Sequence, residues 1–220
     1  MKTEFVTLTA SDGHELEAYV AHPEGKPKAG LLVLQEIFGL TDHIREVTEE
    51  FAADGFLAVA PAMFDRIEKG IVLGYTDFEV AREAMGKLNL EKCAVDMQAA
   101  ADYARSAGKV GIVGYCWGGA MADWAACHGS VDAGVSYYGR ATVEWLDNHP
   151  TCPMFYHYGE RDTLIPWQTI EKIQRKRKGK VRIWGGAEHG FNCKARPQYH
   201  KASAMPAREL TLEFFIEHLT

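Results

Sequence analysis

Lys109-Val110-Gly111-Ile112-Val113-Gly114-Tyr115-Cys116-Trp117-Gly118-Gly119-Ala120 is the stretch that decides the fold. Residues 110–113 are short and apolar on both faces, as a strand buried inside a parallel sheet must be. The run ends in Gly-x-Cys-x-Gly and enters a helical pattern over 117–128 with no spacer, so the chain must turn very sharply at Cys116. Such a corner forces its central residue into a strained conformation, with the side chain standing clear of the sheet. Side chains at 114 and 118 would collide across it, which accounts for Gly114 and Gly118. The helix aims its first N–H groups and positive dipole end at the sulfur, favouring thiolate over thiol. The bland alternative is a small cysteine filling a glycine-rich turn. A dinucleotide loop does not fit, because Gly111, Gly114, Gly118 and Gly119 miss the G-x-G-x-x-G spacing.

Outward from this corner, short apolar runs alternate with longer helical patterns, the mark of a mainly parallel sheet covered on both faces. Strands are predicted at 30–34, 56–60, 110–113, 133–137, 153–158 and 180–184. Helices are predicted at 42–54, 77–87, 91–107, 117–128, 166–178 and 198–219. The N-terminus differs: 4–10 and 15–21 flank Ser11-Asp12-Gly13-His14, and Asp-Gly between two alternating runs reads as an antiparallel hairpin. The helix over 166–178 carries Pro166 at its start, Lys172, Arg175, Lys176, Arg177 and Lys178 at its end, and Gly179 beyond, which reads as ordinary termination chemistry. Leu210, Phe214, Phe215 and Leu219 read as a core-facing stripe of the last helix. No repeat or linker divides the 220 residues, so one domain, 1–220, is expected.

Composition narrows the function. An apolar share of 47% with 25% charged residues is that of an ordinary globular protein. The net charge of −6 lacks the basic excess that neutralises phosphates, so nucleic acid is not an expected partner. No apolar run approaches the roughly 20 residues of a membrane span. Met1-Lys2-Thr3-Glu4 leads straight into a strand with no apolar signal core, which suggests a cytoplasmic protein. The five cysteines, at 93, 116, 127, 152 and 193, form no C-x-x-C pair, arguing against disulfides and structural zinc. Nothing in the sequence fixes an oligomeric state; a monomer is compatible with it.

A nucleophilic thiol needs a base, and α/β hydrolases supply their partners in the chain order nucleophile, acid, histidine. Asp162 lies in the loop after the strand at 153–158, where a carboxylate can orient an imidazole; capping the next helix is its alternative role, and Glu160 is the reserve acid. Of the nine histidines, His189 alone follows a late strand in a glycine-rich loop downstream of both Cys116 and Asp162. It could take the thiol proton and return it to a leaving group. The N–H of Trp117 and that of Ile37, in the loop after the third strand, are the expected oxyanion donors. Glu36 in the same loop could accept the thiol proton or hold the thiol neutral; a loop-anchoring ion pair is the other reading.

Gln35-Glu36-Ile37-Phe38-Gly39, Gly114-Tyr115-Cys116-Trp117-Gly118-Gly119, Tyr137-Tyr138-Gly139, the Asp162 loop and Glu188-His189-Gly190-Phe191 resemble the dienelactone hydrolase family in order and spacing. The resemblance covers essentially the whole chain. It implies an α/β-hydrolase fold, a Cys-His-Asp triad of Cys116, His189 and Asp162, and hydrolysis of an enol-lactone to a maleylacetate-type product in aromatic degradation. It also implies that Glu36 holds the resting thiol, and that no metal or organic cofactor is used. Family members bind the substrate carboxylate with two arginines. One stands four residues past the histidine, where this chain has Cys193 beside Lys194; Arg82 is the nearest match to the other. Arg140 and Tyr138 are further candidates for the substrate pocket. Two alternatives stay open: a broader carboxylesterase or thioesterase with the same site, and a non-catalytic binding or redox-sensing protein built on the thiol.

Overall fold

In the computed structural model, which describes residues 1–220, eight strands join in one sheet. β1 (Lys2–Thr9) and β2 (Glu15–His22) form the N-terminal hairpin in antiparallel register, with Thr9 opposite Glu15. Gly13 turns it at φ 83°, a conformation that favours a residue without Cβ. β2 continues antiparallel onto β4 (Leu57–Pro61). From there β3 (Gly30–Leu34), β5 (Val110–Tyr115), β6 (Ala133–Tyr137), β7 (Met154–Gly159) and β8 (Lys180–Trp184) run parallel. The order is β1-β2-β4-β3-β5-β6-β7-β8.

α1 (Asp42–Ala53) and α6 (Lys201–Leu219) cover one face, meeting through the rings of Phe51 and Phe215; α3 (Leu90–Ala104) and α4 (Trp117–Cys127) cover the other. Every residue of β3, β4, β5, β6 and β7 is buried, which explains why these strands carry no polar alternation. Phe214, Phe215 and Leu219 are buried under the sheet, and Leu210 packs at its margin. No helix is long and apolar enough to cross a membrane. Chain order reverses at β3: the connection through α1 steps outward to β4, and the one through α3 returns past β3 to β5. The crevice beyond the strand ends at such a reversal is where α/β sheets bind ligands.

Several element ends shift by one to three residues, and three local readings change. The third helix ends at Ala104, with a 3₁₀ turn over Arg105–Ala107. In α5 (Trp167–Lys176), Pro166 caps the helix from outside instead of opening it. Arg177 leaves the helix in an extended conformation and turns inward, so it does not serve as a surface cation at the dipole end. Between β4 and α3, α2 (Phe78–Gly86) buries only Ala81 and Ala84 and hangs over the strand ends.

Candidate active site

The turn from β5 into α4 places Cys116 at φ 57°, ψ −118°, a conformation that L-residues avoid. Its N–H donates to the Tyr137 carbonyl at 3.0 Å, tying the corner to β6. A Cβ on Gly114 would overlap the Gly118 carbonyl, and one on Gly118 would overlap the Gln35 carbonyl. Both glycines are therefore dictated by close backbone approach, as the motif requires.

From the strained corner the sulfur meets an imidazole. His189 Nε2 lies 3.1 Å from Cys116 Sγ, and His189 Nδ1 lies 2.8 Å from Asp162 Oδ2. Asp162 is itself held: its Oδ1 accepts the N–H groups of Leu164 at 2.9 Å and Ile165 at 3.1 Å. The capping role and the orienting role thus coexist on two oxygens of one carboxylate. Glu160 is drawn away, accepting the Gly186 N–H at 2.9 Å on the exposed side of the loop. Burial disfavours the imidazolium, but the neighbouring Cys116 sulfur and the Asp162 carboxylate prevail and push His189 up to about 10. The ring therefore retains a proton most readily when the sulfur beside it is negative.

Glu36 is almost fully enclosed, and burial raises its carboxyl above the usual carboxylate range against the pull of Arg196. Its Oε1 accepts from Arg196 Nη1 at 3.2 Å, while its Oε2 has no partner. Arg196 is the site residue that reading the sequence misses. Family spacing points to position 193, but two successive turns, Cys193 N–H to Gly190 and Arg196 N–H to Cys193, fold the loop back and bring in a residue three places later. That Arg196 is the sole arginine between His189 and α6 is the signal that was available. Its guanidinium lies 5.9 Å from the ring centres of Phe38, Tyr75 and Phe78. Cys193 sits below, its thiol 3.4 Å from the Tyr75 hydroxyl. Lys194 is corrected: it pairs with Glu50 at 2.5 Å on the outer surface and takes no part in the pocket wall.

Cys116 and His189 open onto a cavity of about 180 Å³ whose wall also includes Ile37, Trp117, Tyr138, Arg82, Arg140 and Arg196. The Ile37 N–H makes no hydrogen bond within the chain, and Trp117, as first residue of α4, has no carbonyl a turn behind it. Tyr138 is held at φ 41°, its ring centre 5.0 Å from that of His189 and its buried hydroxyl without a partner. A larger cleft, about 470 Å³, lies at the far ends of β7 and β8; two of its lysines, Lys176 and Lys180, are engaged by Asp147 and Glu217. No three His, Cys, Asp or Glu side chains converge as a metal-binding group.

Known proteins resemble this chain over nearly its whole length. A carboxymethylenebutenolidase of Pseudomonas putida is 33% identical over 228 residues, spanning 97% of this chain and 96% of the relative. A Klebsiella pneumoniae structure, provisionally named a dienelactone hydrolase, superposes with a TM-score of 0.88 at 26% identity, covering 99% of this chain and all of the other. A dienelactone hydrolase-like promiscuous phosphotriesterase from metagenomic libraries shares the fold, with a TM-score of 0.81 at 21% identity and full coverage of both chains. The model of the dienelactone hydrolase family matches residues 16–219, and with the α/β-hydrolase fold in place, the chain belongs to that family.

Proposed function

We propose that this hydrolase opens enol-lactones, and cleaves activated esters, through a thioacyl intermediate on Cys116. The observation that carries this reading is the hydrogen-bonded run from Asp162 through His189 to a sulfur facing the pocket. His189 Nε2 takes the thiol proton, and Asp162 holds the ring so that Nδ1 keeps its own. The thiolate attacks the carbonyl carbon, and the N–H groups of Ile37 and Trp117 receive the oxyanion. As the tetrahedral intermediate collapses, the C–O bond breaks and the leaving oxygen departs as an enolate or takes the Nε2 proton. Water, deprotonated by His189, then cleaves the thioester and regenerates the thiol.

Substrate preference follows from the pocket. Arg196 uses only Nη1 on Glu36, leaving Nε and Nη2 for a substrate carboxylate, and Arg82 lines the same cavity. The name of the Pseudomonas putida relative supports an enol-lactone. Cys193, standing where relatives place an arginine, favours a second reading, a broader carboxylesterase or thioesterase working through the same sulfur. Steady-state rates on the dienelactone and on p-nitrophenyl acetate separate the two. The first reading expects kcat/KM to favour the lactone at least about tenfold, with Arg196→Gln erasing most of that preference. Equal rates on both substrates would select the broader esterase. Turnover by Cys116→Ala would reject the mechanism.

A further inference from the structure

The cleft at the far ends of β7 and β8 plays no part in the hydrolytic reaction. Met154 and Lys180, the first residues of those strands, line it, whereas Cys116 follows the last residue of β5, so the two sites lie at opposite ends of the sheet. At about 470 Å³ the cleft has more than twice the volume of the catalytic cavity, about 180 Å³. Four segments wall it: the loop carrying His149 and Pro153, the end of α5, the start of β8, and the last turns of α6.

Its charge runs against that of the chain. The lining holds Lys176, Lys178 and Lys180, with His149 and His218, and no aspartate or glutamate, in a protein of 30 acidic and 24 basic residues. Helix termination accounts for Lys176, in the last turn of α5, but Lys178 and Lys180 stand beyond the cap at Arg177. Lys176 and Lys180 reach outward to Asp147 at 3.5 Å and Glu217 at 3.8 Å, and both acids are mostly exposed. Ion pairs of that kind hold a lysine weakly, leaving it able to turn to a ligand. Lys178, exposed between them, is in no ion pair.

The shape is preformed. Arg177, flanked by two of the lysines, turns inward and donates to the carbonyls of Leu146 and Asn148, just ahead of His149 and Pro150. The buried Asp123–Arg177 pair therefore fixes two of the segments that wall the cleft. A Cβ on Gly179 would lie 2.3 Å from the Met154 carbonyl oxygen and 2.9 Å from the Tyr156 ring, so only glycine lets the start of β8 close onto β7 here. Pro150, Pro153 and Phe214 supply flat apolar faces, and the Phe214 ring meets the His218 ring edge-on at 4.5 Å. Flat apolar faces beside unspent cations suit a ring that carries a negative charge. A bare inorganic anion would leave the apolar faces wet, and a neutral ring would leave the lysines unused.

We propose that this cleft is a second ligand site, which takes a flat aromatic anion of the aryl carboxylate class. The ring rests on Pro150, Pro153 and Phe214, and the charge meets Lys178 with its flanking lysines. Binding here needs neither Cys116 nor hydrolysis.

The test titrates the 220-residue chain with 2-naphthoate, read by backbone N–H resonances in NMR, with 2-naphthamide as the uncharged control. The resonances of Cys152, Met154 and Gly179 should move along one saturating curve, and 2-naphthamide should bind at least about threefold more weakly. Lys178→Gln should raise the Kd at these positions about threefold and Lys178→Glu about tenfold, with the denaturation midpoint unmoved because the side chain is exposed. Added salt should weaken binding. Arg196→Gln, which alters the catalytic pocket, should leave this Kd unchanged. No saturable movement at these positions, equal affinity for the two probes, or a Kd indifferent to both Lys178 variants overturns the proposal and leaves the hydrolytic reading standing.

Discussion

Asp162 and Asp123 are both buried carboxylates paired with a basic side chain, yet their surroundings differ in one respect. Asp123 is saturated. Arg177 donates to its Oδ1 at 2.7 Å and its Oδ2 at 2.8 Å, Tyr156 to Oδ1 at 2.5 Å and Trp145 to Oδ2 at 2.9 Å. Arg177 spends its remaining N–H groups on the carbonyls of Leu146, Asn148 and Trp145. Both charges are fully enclosed, and the network ends on itself. The Asp162 network instead runs outward through His189 to a sulfur on a strained corner at the wall of a cavity. A closed circuit of buried charge fixes structure, whereas one that terminates in an unspent nucleophile can do chemistry.

Removing the anion from each circuit sharpens this contrast. Asp162→Asn should lower kcat by a factor on the order of 10⁴, because the amide no longer fixes the tautomer that presents a bare Nε2 to the thiol. Chemical denaturation should show little accompanying loss of stability. A fall of less than about tenfold would mean that Asp162 is a capping residue only.

The converse holds at Asp123. Arg177→Met should destabilise the fold by about 3–5 kcal/mol, since it strands a carboxylate in the interior. Turnover of p-nitrophenyl acetate per folded molecule should stay within about twofold of wild type. A specific loss of activity with unchanged denaturation would break the division between the two networks.

Acid gives a smaller effect with a defined sign. Burial holds His157 down to about 3 and His43 down to about 4, so both are neutral in the folded state. His157 Nδ1 accepts from Trp184 Nε1 at 3.1 Å, and Nε2 pairs with Thr211 Oγ1 at 3.1 Å. Charging the ring would cost the Trp184 bond. The unfolded chain binds these protons from pH 6.5 downward, so stability should fall as pH drops from there toward 4, by roughly 3 kcal/mol per histidine. His157→Asn, which keeps an acceptor for Trp184, should flatten the pH slope of the denaturation midpoint. An unchanged slope would place the acid sensitivity elsewhere.

What could be read from residues alone, and what could not, divides along the same line. The corner at Cys116 was legible because backbone collisions at Gly114 and Gly118 admit no other residue. The parallel strands were legible because burial on both faces leaves no polar alternation. His189 and Asp162 followed from chain order. Arg196 was not legible, because two tight turns reset the spacing between it and His189 and only the folded loop shows which residue returns to Glu36. Arg177 misled for a related reason. In sequence it belongs to a run of cations at a helix end, but one residue beyond α5 the backbone becomes extended and turns that side chain toward Asp123. Long-range pairings of charge leave no periodic trace, whereas steric demands on consecutive residues do.

The account turns on whether Cys116 forms the covalent intermediate. Acid-quenching the enzyme during turnover of p-nitrophenyl acetate, followed by peptide mass spectrometry, should find one acetyl group, on the peptide containing Cys116. An acetyl group on another residue, or burst kinetics with Cys116 unmodified, would contradict it.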